Sequence, residues 1–152
     1  RRPPHFRGGA KAHGPKGDVQ DYTTKLNKHT RRLGLVHALT QKLYEGNLIV
    51  VNDWKLESYR TSNLSKSLRA VGIGGKQGSS AYMLDWIDDD DDSDTVYNNM
   101  PLRMSVAASN IPRVKLAPQM AANVYDIIKH EKLVLTLGAI QGLEDRLDHI
   151  AY

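Results

Sequence analysis

Cysteine is absent from this 152-residue sequence, which removes disulfides and every form of thiolate chemistry. No apolar run approaches the roughly 18 residues that a helical membrane span demands, and no secretory leader is visible, so no span is expected. The sequence opens on Arg1 rather than on methionine, and upstream residues, processed away or lying beyond these 152, are expected. Internal repeats are missing too. So are the HExxH pair, the GxGxxG fingerprint and the GxxxxGK phosphate loop. The six histidines, His5, His13, His29, His37, His130 and His149, lack paired ligand spacing, so core or surface roles are expected in place of a metal site. No catalytic residue, cofactor or small-molecule substrate follows from this inventory.

Two stretches imitate chemistry. Residues 72–78, GIGGKQG, look like a phosphate loop but follow a helical pattern rather than a strand, and read as a helix-to-strand connection. The run Asp88 to Asp92 with Asp94 lacks the spaced ligands and the glycine of a calcium loop. It reads as a self-repelling surface insertion over 88–94, which a neutral linker should replace without loss.

What the chain has in excess is positive charge at one end. Residues 1–32 carry nine Lys and Arg against Asp18 and Asp21, a net +7, whereas the whole chain is only +4, so the other 120 residues stand at −3. Such segregation points to a basic arm for a polyanion. Between Arg1 and Tyr22 the only large apolar side chains are Phe6 and Val19, and glycines and prolines break any regular period. A segment of this kind cannot offset its own ordering entropy, so it is expected to take fixed structure only on a partner. Arg1, Arg2, Arg7, Lys11 and Lys16 suit phosphates. Gly8, Gly9 and Gly14 permit close backbone approach. His5, Phe6 and His13 are candidates for stacking on unpaired bases. Lys25, Lys28, Arg31 and Arg32 form a ridge around the start of the first helix, where cations oppose the helix dipole at about 0.3–1 kcal/mol each until an outside anion relieves them.

Beyond the arm, Asn27 is a plausible cap for a helix ending near Gly46, with Leu33, Val36, Leu39, Leu43 and Tyr44 facing a core. The run 48–51 reads as a strand buried on both faces. Thr61 or Ser62 can cap a short helix with Leu64, Leu68 and Val71 on one side. A strand over 81–86 follows, then a helix from Pro101 and a strand over 113–117. A helix over 121–130 with Val124, Ile127 and Ile128, a strand over 132–137 and a last helix on Ile140, Leu143, Leu147 and Ile150 complete the pattern. Strands alternating with helices give an α/β class, a three-layer α/β/α sandwich on a four-stranded, mostly parallel sheet with right-handed crossovers. The expected division is an extended basic N-terminal arm over 1–25 and a globular domain over 26–152.

The run RRPPHFRGGAKAHGPKG, then KLNK ahead of RRLGL, then LIVV, resembles the large-subunit ribosomal protein four family, and NVYDIIKHEKLVLT is similar to its last helix and strand. The resemblance implies the same sandwich and a non-enzymatic constituent of the large ribosomal subunit. Such a constituent binds rRNA and neighbouring ribosomal proteins, supports assembly and extends its arm towards the nascent-peptide exit tunnel. Ala10 stands where bacterial members usually carry a third glycine. His13 stands where they often have Phe, and a histidine there is similar to mitochondrial members, so a mitochondrial (matrix) ribosome is expected, with the bacterial cytoplasm as alternative. A different class, a nucleotide-binding enzyme on a doubly wound sheet, would need a glycine loop directly after a strand and an acid or base at a strand end.

Overall fold

The computed structural model describes residues 2–14, 22–54, 56–75, 78–86 and 100–148. Helix α1 (Lys28–Tyr44) leads into strand β1 (Leu48–Val51), α2 (Thr61–Ala70), β2 (Ala81–Asp85), α3 (Leu102–Ala108), β3 (Val114–Pro118), a 3-10 turn (Gln119–Ala121), α4 (Val124–Lys129), β4 (Lys132–Thr136) and α5 (Leu137–Leu147). The sheet has four strands in the order β1-β4-β2-β3, and every pairing is parallel. From β1 to β2 to β3 the chain moves one way across the sheet, and from β3 to β4 it moves back. Right-handed crossovers therefore place α2 and α3 on one face and α4 on the other.

The packing follows that rule. On one face Leu35 and Ala38 of α1, Ile127 of α4 and Leu143 of α5 cover Tyr82, Leu84, Leu133 and Leu135. On the other, Leu64 and Leu68 of α2 and Met104 and Ala107 of α3 cover Ala81, Met83 and Val134. Each fully buried side chain of leucine size contributes about 1.5–3 kcal/mol, so these two layers, and not helix propensity, hold the short helices in place.

Several sequence expectations are corrected here. Strand β1 is an edge strand rather than one buried on both faces, and Val50 is 47% exposed, because β4 takes the place inside the sheet. Leu43 and Tyr44 face solvent, since α1 rests on the sheet through Leu35, Ala38 and Lys42, a stripe that leaves both off its line. Lys42 is buried because its long apolar stem can be covered while Nζ donates to the Glu131 carbonyl at 3.1 Å. In the region 121–130 the 3-10 turn and α4 divide what reads as one helix, and Ile128 is exposed. Neither Asn27 nor the residue before α2, Arg60, makes a side-chain cap, and Thr61 is already helical. Val71, expected on the apolar side of α2, is half exposed beyond its last turn. The 72–78 stretch does connect α2 to β2, with Gly72 and Gly74 at positive φ and Gly74 N–H donating to the Ser79 carbonyl. The acidic run and Ile150 lie outside the described residues.

Candidate nucleic-acid interface

Among the described residues, the cations that the sequence singles out fall into two groups. The first lies within residues 2–13. Residues 2–10 are not featureless: Phe6 N–H donates to the Pro3 carbonyl at 3.1 Å, Gly9 N–H to the Phe6 carbonyl at 2.9 Å, and Ala10 N–H to the Arg2 carbonyl at 3.1 Å. Gly8 has φ 71°, as the third residue of a type II turn requires, and a Cβ on Gly9 would land on the Pro3 carbonyl oxygen. Gly14 is under no such constraint, its nearest neighbour being Lys11 at ordinary contact distance. Arg2, His5, Phe6, Arg7, Lys11 and His13 are all exposed, and the His5 and Phe6 rings lie 4.7 Å apart. Arg1 and Lys16 fall outside the described residues.

The second group lines a cleft of about 730 Å³ where the start of α1 meets the 3-10 turn, the first turn of α4 and the end of α5. Lys28, Arg31 and Arg32 stand on its α1 side, while Lys25 is exposed and does not line it. The sequence reading missed Arg146, which enters from α5 and donates through Nη1 to the Gln119 and Met120 carbonyls at 3.2 and 3.3 Å. No Asp or Glu is among the described lining residues, and the apolar part of the lining includes Leu26, Leu35 and Met120. The first turn of α1 contains no acid, so nothing within that turn offsets its cations against the helix dipole.

A polar cluster behind the cleft fixes its far wall. Asn123 caps α4, accepting from Asp126 N–H at 2.8 Å, and donates to the Asp126 carboxylate at 2.7 Å. Lys115 of β3 is ion-paired with the same carboxylate and, with Asn123, holds it below the usual carboxylate range. Asn123 and Val124 are thereby set at the lining of the cleft. The cap was legible only in hindsight, as an Asn three residues ahead of an acid.

The carboxyl ends of the strands offer a nucleotide much less. Among the described residues no glycine loop follows a strand directly. The first turn of α5 is occupied: a Cβ at Gly138 would meet the Trp86 carbonyl at 2.8 Å. The acid that does sit there, Asp85, is 2% exposed and structurally engaged, accepting from Thr136 Oγ1 at 2.7 Å and from Trp86 N–H at 2.8 Å. Burial pushes its pKa up, and Asp53 adds to that. Among the described residues no three His, Asp or Glu side chains converge as a metal site would need, and no helix is long and apolar enough to cross a membrane.

The profile of the ribosomal protein L4/L1 family matches residues 1–146. Large ribosomal subunit protein uL4 of Rickettsia bellii is 41% identical over 142 residues, covering 93% of this chain and 60% of that protein. The proteins of the same name from Rickettsia africae and Rickettsia felis are 40% identical over the same shares. The chain thus spans about 60% of the length of these curated relatives.

Proposed function

The chain belongs to the ribosomal protein L4/L1 family, and from that premise we propose that it is a non-enzymatic constituent of the large ribosomal subunit that binds rRNA. The observation that carries the reading is the cleft lined by Lys28, Arg31, Arg32 and Arg146 with no Asp or Glu among its described lining residues, next in sequence to a basic segment. Phosphates seated there offset the cost of cations at the start of α1 and release counterions from the RNA. Arg1, Arg2, Arg7, Lys11 and Lys16 extend the same contact along the arm, which on this reading runs among rRNA helices towards the peptide exit tunnel and supports assembly. Neighbouring ribosomal proteins are the other partners.

For the compartment we infer a mitochondrial ribosome, on His13 in the position that bacterial members often fill with Phe. The identity to Rickettsia proteins favours a bacterial ribosome instead. Fractionation of cells carrying the tagged protein, followed by sedimentation of each fraction's ribosomes, decides between them.

The interface is tested by Lys28→Glu, Arg31→Glu and Arg32→Glu together. rRNA fragments are titrated against both proteins over a range of salt. The triple variant should bind more weakly, and its log–log salt slope should flatten by roughly two to three, one unit or slightly less per lost phosphate contact. Its thermal midpoint should not fall, since the acids replace cations that oppose the helix dipole at the start of α1. Equal affinity and equal slope would remove the cleft from the interface.

A further inference from the structure

The arm's hydrogen bonds do something that its charge does not require. Pro3 to Phe6 and Phe6 to Gly9 are two successive turns sharing Phe6, and the Ala10 to Arg2 bond closes the nine-residue loop around them. Phe6 is the residue at which both turns meet: its N–H ends the first and its carbonyl begins the second. Its backbone is therefore tied on both sides, yet Phe6 is 56% exposed, its ring lying against the His5 ring with a tilt of 36°. A loop that fixes the chain's single phenylalanine while leaving more than half of it exposed gains little from the hydrophobic effect. An exposed aromatic ring in a loop that also carries the exposed cations Arg2 and Arg7 suits a planar base on a polyanion, with stacking on the ring and phosphate on the cations.

Resting on the rRNA-binding reading above, we infer that residues 2–10 form a preformed platform on which an unpaired RNA base stacks against Phe6, Arg2 and Arg7 taking the flanking phosphates. Presetting the loop lowers the ordering cost that a featureless arm would bear in full on binding. Glycine at position 9 is what permits the closure, because any side chain there collides with the Pro3 carbonyl.

The test uses the full 152-residue chain and a hairpin RNA whose unpaired loop carries a fluorescent aminopurine, with a fully paired duplex as comparison. The wild type should bind the hairpin more tightly than the duplex and quench the aminopurine. Phe6→Leu should lower hairpin affinity by about tenfold, abolish the quenching and leave the salt slope unchanged. Gly9→Ala, which alters no charge and no ring, should reproduce that loss. The double variant should bind no more weakly than the poorer single one, because both remove the same contact. Additive losses, or hairpin affinity and quenching unchanged by Phe6→Leu, would overturn the platform while leaving rRNA binding standing. A wild type that binds neither RNA would overturn both.

Discussion

Gly142 shows two residue-level effects in opposition. It lies inside α5, where alanine is favoured over glycine by about 1 kcal/mol. A Cβ there, however, would run into the side-chain amide of Gln119, which is 3% exposed and so has little room to retreat. The backbone of that residue is held in turn, its carbonyl accepting from Arg146. Overpacking of this kind costs about 1–3 kcal/mol, so the clash wins and Gly142→Ala should destabilise by about 1 kcal/mol net. Because the 3-10 turn forms one side of the cationic cleft, the substitution should also weaken rRNA-fragment binding. Denaturant unfolding checks the first effect, and a variant as stable as wild type would mean that Gln119 relocates freely.

Among the elements, position in the sheet decides stability more than composition does. Strand β1 is the most uniformly apolar and β-branched of the four strands, yet among the described residues it lies at the edge and pairs with β4 alone. Strand β4 lies between β1 and β2, with Leu133, Val134 and Leu135 at most 4% exposed. Amides opened only by global unfolding exchange slowest, and those near exposed edges exchange through local fraying. Hydrogen exchange should therefore protect 82–84 and 133–135 most, 48–51 less, and the exposed last turn of α1 least. Equal protection of 48–51 and 133–135 would mean that something covers β1 in solution.

For the molecule as a whole, the buried Asp85 sets a dependence of stability on pH. Its folded pKa is raised, mainly by burial, so the native state holds the proton more tightly than the unfolded chain. Below the ordinary carboxylate value of about 3.9 both states are neutral there, and the group has no effect. As pH rises from that value to the raised one, the unfolded chain ionises first and stability falls, with a limiting slope of about 1.4 kcal/mol for each pH unit between the two. Asp85→Asn keeps an acceptor for Thr136 and removes this cost, so it should be more stable than wild type at neutral pH. The gap between the two proteins should widen across that window. Asp126, whose pKa is lowered, acts with the opposite sign but is common to both proteins and cancels in the difference. Chemical denaturation at a series of pH values reads the gap, and a constant difference would refute the assignment. Local pattern alone determined the segregation of charge, the alternation of helices and strands, and hence the parallel sheet, because each depends on side chains within one turn or one strand. Tertiary structure decided that β4 and not β1 lies inside the sheet, because strand order is set by the direction of the crossovers and leaves no local trace. It also decided that Lys42 is buried and that Arg146 and Asn123 join Lys28, Arg31 and Arg32 around one cleft, since those neighbours come from elements far apart in sequence.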